Sequence, residues 1–304
     1  MRIGFIGLGA MGRPIAANLL RAGHALGVND ARHAAAAPLT AAGAEWAQTA
    51  AHAARDAELV FTSLPGPPEV EAVAAGGLIA AMRPGAAWFD LTTNAPATVR
   101  WLHDLCAARG VRMLDAPVSG GPQAAADGTL AVWVGGDREA FEQYRPVLSA
   151  VGSDPLHVGT IGAGTAAKLA HNCASFSVQT ALAEAFTLGV KAGVEPLALF
   201  RALRQGALGR KRTFDRLAEQ FLPGRYDPPA HALSLAHKDM TLVRDLAAAC
   251  GVPVPVAEIA LAELGEAVAR GWGERDARIA MTLQEERAGV SVRVDPERLR
   301  DALR

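Results

Sequence analysis

A glycine-rich turn near the start of the chain leaves few folds open to it. The segment Gly7-Leu8-Gly9-Ala10-Met11-Gly12 follows the apolar run Arg2–Ile6 and precedes an amphipathic segment. Between a strand and a helix, these glycines permit a tight turn, let the backbone approach a pyrophosphate, and let helix and strand pack closely. A βα turn that binds nothing can carry the same glycines. Its place in a βα unit at the start of the chain nevertheless favours a dinucleotide site formed by Gly7, Leu8, Gly9, Ala10, Met11 and Gly12.

An acidic residue follows the second apolar run, Ala25–Val28. Asp30 lies 18 residues beyond Gly12 (30 − 12), about the separation expected of a ribose-binding carboxylate. A carboxylate accepts the hydrogen bonds of an unmodified adenosine ribose but repels a 2′-phosphate. The sequence therefore predicts NAD rather than NADP. Arg32 leaves room for NADP, and a turn without a ligand is the alternative role for Asp30.

Apolar runs alternate with Ala-rich helical segments through the first half of the chain. The later runs cover 59–64, 87–91, 111–114 and 130–134. Runs that are apolar on consecutive residues suit strands covered on both faces by helices. The pattern predicts a doubly wound, mostly parallel Rossmann sheet, and the closely spaced runs after Asp115 allow one reversed strand.

Beyond Gly162 the strand pattern gives way to long Ala/Leu-rich segments with helical spacing. The first, from Ala166 to about Ala192, is far longer than an average helix of ~11–12 residues and rich in small residues. We predict an α/β fold with an NAD-binding Rossmann domain (1–162), an all-α substrate and oligomerisation domain (163–290) joined to it by a long helix, and a charged tail (291–304). The small-residue surface of that helix predicts a homodimer or homotetramer.

Charge and composition argue against several protein classes. Lys+Arg 30 nearly balance Asp+Glu 31, so no overall field attracts nucleic acid or an anionic membrane. No run approaches the ~20 apolar residues of a spanning helix, and glycines interrupt the first apolar stretch, unlike a signal peptide. Three scattered cysteines and eight histidines without ligand spacing predict a cytoplasmic protein with no metal site.

Polar loops follow two further predicted strands. Ser63-Leu64-Pro65 and Asp90-Leu91-Thr92-Thr93-Asn94 fall at the carboxyl edge of the sheet, where ligands bind in open α/β folds. We predict cofactor contacts from Leu64, Pro65 and Thr93, with Thr92 and Asn94 as further candidates. The alternative is that these loops only connect each strand to the following helix and contact no ligand.

Two later segments contain candidate substrate-binding and acid–base residues. Ser119-Gly120-Gly121 offers a hydroxyl and accessible backbone N–H groups after a strand, which can hold a carboxylate, although a simple glycine turn looks the same. Lys168 lies in an apolar setting, where burial and the positive end of a helix lower an amine's pKa and make it a usable acid or base. Asn172, at i+4, faces the same way as Lys168, whereas His171 points about 100° away.

Four motifs, in order, resemble the β-hydroxyacid dehydrogenases, the family of 3-hydroxyisobutyrate dehydrogenase and tartronate semialdehyde reductase. They span nearly the whole chain: Gly4-Phe-Ile-Gly-Leu-Gly-Ala-Met-Gly-Arg-Pro14, Asp115-Ala-Pro-Val-Ser-Gly-Gly121, Gly162-Ala-Gly-Thr-Ala-Ala-Lys-Leu-Ala-His-Asn172 and Lys238-Asp239. The resemblance implies an NAD-dependent interconversion of a small β-hydroxy acid and its semialdehyde.

The same resemblance implies the residue roles. Lys168 protonates the carbonyl oxygen in reduction and removes the hydroxyl proton in oxidation, while Ser119, Gly120 and Gly121 bind the carboxylate of a small substrate. Asn172 orients the lysine or binds the substrate hydroxyl. Lys238 reaches the nicotinamide end of the cofactor, supported by Asp239.

Two other functions share this scaffold. An imine reductase usually has a different residue in place of Lys168, and a non-catalytic dinucleotide-binding module leaves the joint presence of Ser119, Lys168 and Asn172 unexplained. The chain departs from the family at 207–213, where Arg210, Lys211 and Arg212 replace a small polar turn. They form either a solvated helix face or, through Arg210, a contact to a second acidic group of the substrate.

Overall fold

In the computed structural model, which describes residues 1–210 and 217–302, the glycine-rich turn joins the first strand to the first helix. Side chains are described in these ranges except for Cys173, Leu235, Lys238, Asp239, Leu242, Asp245, Leu246, Ala249, Asp301 and Ala302. Contact density divides the chain into two units, Met1–Ala174 and Ser175–Arg304.

The first unit contains nine strands among the described residues. They are β1 (Arg2–Ile6), β2 (Ala25–Asn29), β3 (Glu45–Trp46), β4 (Leu59–Thr62), β5 (Ala87–Asp90), β6 (Arg112–Asp115), β7 (Val118–Ser119), β8 (Ala131–Gly135) and β9 (Leu156–Gly159). The helices around them are α1 (Gly12–Arg21), α2 (Ala37–Ala41), α3 (Ala50–Ala54), α4 (Pro67–Val73), α5 (Ile79–Ala81), α6 (Pro96–Ala107), α7 (Gly121–Asp127) and α8 (Arg138–Leu148), with a 3₁₀ turn at His33–Ala36 and a π-helical turn at Ala74–Leu78.

The strand order β3-β2-β1-β4-β5-β6-β8-β7, with β9 beside β8, defines a doubly wound sheet. The strands from β3 to β6 are parallel, and β8 runs antiparallel to β6. The chain reverses its direction of winding at β1, so a crevice opens at the carboxyl ends of β1 and β4, the usual place for a ligand in this topology. The predicted α/β Rossmann fold and its reversed strand are confirmed.

The two faces of the sheet pack into separate cores because alternate residues of each strand point to opposite faces. Phe5, Phe61 and Phe89 belong to one buried cluster, whereas Val60 and Trp88 belong to the other. Burial on both faces explains why these strands read as continuous apolar runs in the sequence.

A long helix, α9 (Ala163–Lys191), leads from the first unit into the second. The predicted boundary near Gly162 lies directly before this helix, whereas contact density divides the chain within it. The other helices of the second unit are α10 (Pro196–Gln205), α11 (Ala207–Arg210), α12 (Leu233–Cys250), α13 (Pro255–Ala269), α14 (Thr282–Ala288) and α15 (Pro296–Ala302), with a 3₁₀ turn at Ala277–Met281. No strand occurs in the described part of this unit, as predicted.

The charged tail is tied to the second unit. The Arg293 guanidinium donates to the Phe221 carbonyl (2.9 Å) and pairs with Glu285 (2.6 Å), and the Val294 N–H donates to the Leu222 carbonyl (2.9 Å). Among the residues that the structure describes, none of the helices has the length and apolar character that a membrane crossing requires.

Candidate active site

The turn between β1 and α1 is built so that two glycines pack and a third stays open. A Cβ on Gly12 would clash with the Gly7 carbonyl oxygen, and a Cβ on Gly7 would clash with the Ser63 carbonyl oxygen. Gly7 also has a φ of 94°, a conformation that favours glycine. A Cβ on Gly9, in contrast, would meet nothing within 4 Å. No side chain caps α1, so its first turn and Gly9 form a cradle that fits a pyrophosphate.

Asp30 follows β2 and is bonded into this turn. Its Oδ2 accepts a hydrogen bond from the Leu8 N–H (2.7 Å) and its Oδ1 accepts one from the Arg32 N–H (2.8 Å). Each carboxylate oxygen can accept a further hydrogen bond, so the side chain can still receive a ribose hydroxyl. The Arg32 Nε lies 3.7 Å from Oδ1, with the rest of its side chain largely exposed.

Two neighbouring cavities lie along the carboxyl edge of the sheet. The larger, about 690 Å³, is lined by these predicted cofactor residues: Gly7, Gly9, Ala10, Met11, Gly12, Asp30, Leu64 and Pro65. Leu8 is buried beneath the turn and contributes its N–H to Asp30 rather than lining the cavity. Arg32 also lines it, which brings a cation within reach of the ribose end.

The smaller cavity, about 320 Å³, joins the second set of predicted residues. It is lined by Met11, Ser63, Leu64, Pro65, Leu91, Thr92, Thr93, Val118, Ser119, Gly120, Gly121 and Lys168. Because the two cavities share the turn residue Met11 and the segment Ser63, Leu64 and Pro65, a ligand extended along the edge can reach from Asp30 to Lys168. Lys168, which lies 47 residues beyond Gly121 in the sequence (168 − 121), thus faces the same space as Ser119, Gly120 and Gly121.

Lys168 lies six residues into α9 (168 − 162) and is half-buried. Burial lowers the pKa of its ammonium below the ordinary value because the charged form loses hydration. The sequence also predicted a contribution from the positive helix end. That contribution stays a prediction; at this end of α9, the Asp115 side chain accepts hydrogen bonds from the N–H groups of Gly162 and Thr165.

Asp90, at the end of β5, holds the loops that form one wall of the smaller cavity. Its side chain accepts hydrogen bonds from the Thr62 hydroxyl (2.8 Å), the Thr92 N–H (3.1 Å) and the Asn94 amide (2.9 Å). The Thr92 hydroxyl in turn accepts the Leu64 N–H (3.0 Å). Burial raises the pKa of the Asp90 carboxyl, although the hydrogen bonds from Thr92, Asn94 and Thr62 oppose that shift.

Neither cavity is lined by the remaining predicted residues whose side chains the structure describes, Asn172 and Arg210. Asn172 is half-buried, and its Oδ1 is 3.3 Å from His171 Nδ1, whose ring lies against Trp133 (5.2 Å between ring centres). Neither Asn172 nor His171 lines the smaller cavity. The side chains of Lys238 and Asp239, and all of Lys211 and Arg212, are outside the described residues. Arg210, the last residue of α11, is exposed.

Sequence reasoning gave no role to Asp90 and Asp115, although both stood in motifs that it quoted. Each is about 1% exposed and ends a strand. The available signal was an acidic residue at the end of a mostly apolar run. It did not distinguish a buried hydrogen-bonded acid from an acid that begins a solvated turn.

Two family models match the chain and together cover most of it. Residues 2–166 match the NAD binding domain of 6-phosphogluconate dehydrogenase, and residues 162–283 match the NAD-binding of NADP-dependent 3-hydroxyisobutyrate dehydrogenase. The first match contains the residues that line both cavities except Lys168, which falls within the second match.

Characterised relatives match along almost their whole length. The chain is 35% identical over 294 residues to the 2-(hydroxymethyl)glutarate dehydrogenase of Eubacterium barkeri, covering 96% of this chain and 97% of the relative. It is 36% identical over 289 residues to the NAD-dependent L-serine dehydrogenase of Pseudomonas aeruginosa, covering 93% and 97%.

Solved structures give the same picture of the fold. The Mycobacterium tuberculosis 3-hydroxyisobutyrate dehydrogenase with L-serine is 33% identical, with a TM-score of 0.65 and coverage of 93% of this chain and 98% of that one. An imine reductase from Pseudomonas sp. aligns with a TM-score of 0.79 and coverage of 92% and 98%, but at 20% identity it shows the shared fold alone.

Proposed function

This chain belongs to the β-hydroxyacid dehydrogenases, NAD(P)-dependent oxidoreductases acting on CH–OH groups, and we propose that it interconverts a small β-hydroxy acid and its semialdehyde. The observation that carries the proposal is that Lys168 and Ser119–Gly121 line one cavity, which continues into the cradle for a dinucleotide. The substrate class agrees with the names of its relatives, among them 3-hydroxyisobutyrate and L-serine dehydrogenases.

Each part of the cavity has a role in this proposal. The Ser119 hydroxyl and the backbone N–H groups of Gly120 and Gly121 bind the substrate carboxylate, which places the hydroxyl carbon beside Lys168. A dinucleotide whose pyrophosphate lies in the cradle would supply the hydride acceptor or donor through its nicotinamide. The Lys168 amine removes the hydroxyl proton when the acid is oxidised and returns it to the carbonyl oxygen when the semialdehyde is reduced, and its lowered pKa favours both exchanges near neutral pH.

Three further assignments belong to the same proposal. NAD is the preferred cofactor because Asp30 stands at the ribose end of the larger cavity. Asn172 and Lys238 retain the roles implied by the family resemblance, as support for the lysine and as a cofactor contact. The chain acts as a cytoplasmic homodimer or homotetramer on a small carboxylate substrate.

The test compares wild type with Lys168→Ala on a panel of C3 and C4 semialdehydes, with NADH and NADPH, by the absorbance of the reduced cofactor. We expect turnover with NADH and a fall in kcat of roughly 10²- to 10⁴-fold in Lys168→Ala, with NADH binding unchanged. Lys191→Ala is the matched control because Lys191 is an exposed lysine at the other end of α9. Wild-type turnover by Lys168→Ala would refute the lysine role. Reduction of 1-pyrroline but of no semialdehyde would replace the proposal with imine reduction.

A further inference from the structure

The start of the helix that carries Lys168 is held by one buried side chain. Asp115 ends β6 and is 1% exposed. Its Oδ1 accepts the Gly162 N–H (2.8 Å) and its Oδ2 accepts the Thr165 N–H (2.6 Å). Both carboxylate oxygens are therefore engaged by the first turn of α9, and hydrogen bonds from backbone N–H groups to a buried carboxylate are among the stronger ones in proteins.

The same turn of α9 rests directly on the sheet. A Cβ on Gly164 would clash with the Trp133 carbonyl oxygen and would lie 2.7 Å from the Asp115 carbonyl oxygen. A Cβ on Gly135, the antiparallel partner of Asp115, would clash with the Asp115 carboxylate. Backbone therefore packs against backbone here, and the helix start has little freedom to shift.

Asp115 also lies at the base of the segment that leads to Ser119. Ser119 comes four positions after Asp115 (119 − 115), and Lys168 comes one helical turn after Thr165. One side chain thus links the loop at Ser119–Gly121 to the helix of Lys168, the two parts of the smaller cavity. A shift of α9 relative to this loop would move the amine, and displacements on the order of 1 Å can cost about 10²-fold in rate.

We propose that Asp115 is a positioning residue, which fixes the Lys168 amine relative to the substrate-carboxylate loop by holding the first turn of α9. This inference rests on the proposed function of Lys168. Asp115 touches neither substrate nor cofactor in the proposal and acts only through the backbone of α9.

The experiment is a double-mutant cycle of Asp115→Asn and Lys168→Ala, measured as kcat with the semialdehyde that wild type reduces and as NADH affinity by fluorescence. The asparagine is nearly isosteric but has one acceptor oxygen fewer, so one of the two N–H groups loses its partner. We expect Asp115→Asn to lower kcat at least 10-fold with NADH affinity within twofold of wild type. In the Lys168→Ala background it should change the residual rate by less than twofold, because the group that it positions is absent.

Asp137→Asn is the matched control. Asp137 likewise accepts a backbone N–H at the start of a helix, from Ala140 to Oδ1 (2.7 Å), but that helix is α8 and carries no residue of the two cavities. We expect this variant to keep the kcat of wild type, because asparagine caps a helix about as well as aspartate. A comparable fall in kcat in both variants would reduce the Asp115 effect to a general loss of stability and overturn the inference.

The outcomes separate the inference from the function on which it rests. Wild-type kcat in Asp115→Asn, or an equal loss in the Lys168→Ala background, overturns the positioning role while the lysine role stands. Wild-type kcat in Lys168→Ala overturns the lysine role itself. If Asp115→Asn is not recovered folded, Gly164→Ala replaces it, since its methyl group pushes α9 from the sheet and leaves Asp115 intact. Full kcat in a folded Gly164→Ala enzyme would equally refute the inference.

Discussion

At the scale of single residues, the chemistry of the proposed site depends on the protonation of one amine. Lys168 is half-buried, and burial lowers its pKa. A lysine at its ordinary pKa of ~10.4 is almost wholly charged at neutral pH and a poor base. Partial burial increases the neutral fraction while leaving the amine accessible to a ligand in the cavity.

The pH profile of the reaction should report this shift. In the direction of alcohol oxidation the neutral amine is the active form, so we expect kcat to rise with pH with a midpoint below pH 10.5, the ordinary value from which the pKa is lowered. In the direction of reduction the ammonium is active and kcat should fall over the same range. Steady-state rates in both directions check the prediction. If the same pH dependence of kcat persists in Lys168→Ala, the titrating group is another residue.

Asp30 allows a second prediction, which compares two cofactors on one protein. We expect Asp30→Ala to lower kcat/KM for NADH relative to NADPH by roughly 10- to 100-fold, the loss of charge-assisted hydrogen bonds worth about 1.5–3 kcal/mol. The variant also deprives the Leu8 and Arg32 N–H groups of their acceptor, but that damage affects both cofactors and cancels in the ratio. A parent enzyme that prefers NADPH would contradict the role of Asp30.

Asp90 links the site to the pH dependence of stability. Burial raises its pKa above 3.8 in the folded state, so between that value and the raised pKa the folded protein binds more protons than the unfolded chain. The free energy of unfolding therefore decreases as the pH rises through this window, because Asp90 loses its proton less readily in the folded protein.

Asp90→Asn removes this titration, since an amide does not ionise, while it can still accept hydrogen bonds from Thr62 and Thr92. We expect the free energy of unfolding of wild type, measured in urea from about pH 4 to about pH 8, to fall relative to that of Asp90→Asn as the pH rises. Parallel pH dependence of the two proteins would show that Asp90 does not titrate in this range.

These residues also show what could be predicted from the sequence. Lys168 and Ser119–Gly121 were identifiable because glycine and alanine surround them in recognisable motifs, and the structure places them around one cavity. The network of Asp90 and the capping of α9 by Asp115 were not, because both depend on contacts across strands or over more than forty residues of sequence. Short-range sequence patterns do not identify hydrogen-bond partners that are distant in the sequence.

At the scale of elements, the first βα unit shows how one turn serves both packing and binding. Gly12 and Gly9 stand three residues apart in that turn, yet only Gly12 is packed against backbone. The two positions should therefore respond differently to the same added methyl group.

We expect Gly12→Ala to lower stability by about 1–3 kcal/mol, because the methyl group forces α1 away from β1. Gly9→Ala should leave stability within ~0.5 kcal/mol of wild type but weaken NADH binding, since its methyl group enters the open cradle. Urea unfolding of the two variants measures their stability, and fluorescence titration measures their affinity for NADH. Normal NADH affinity in Gly9→Ala would place the pyrophosphate elsewhere.

The strands that the sequence missed are the two-residue strands and one strand at the edge of the sheet. β3 and β7 have two residues each, and β9 lies at an edge of the sheet beside β8. Two residues give no periodicity to read, and the half-exposed β9 lacks a continuous apolar run. The central strands were predicted within two residues because burial on both faces leaves a strong apolar signal.

At the scale of the whole molecule, α9 exposes apolar side chains after it enters the second unit. Phe176 is 62% exposed, and Val178, Leu182 and Val190 on the same helix are exposed as well. In the same unit, Ile259 of α13 and Val290 are also exposed, beside a cavity of about 920 Å³. Concentrated apolar exposure of this kind is typical of a surface that a protein partner covers, and the proposed homodimer or homotetramer supplies one.

Phe176→Glu tests this assembly. A buried charge without a partner is costly, so if Phe176 packs against a second copy of the chain, the glutamate should shift the protein towards monomer. Light scattering after size exclusion measures the mass, and Leu156→Glu is the control, because Leu156 is comparably exposed (55%) on the edge strand β9 of the first unit. We expect the Phe176→Glu protein to dissociate towards monomer and the Leu156→Glu protein to keep the mass of wild type. A monomeric wild type would contradict self-association, and an unchanged mass in Phe176→Glu would exclude this part of α9 from the interface.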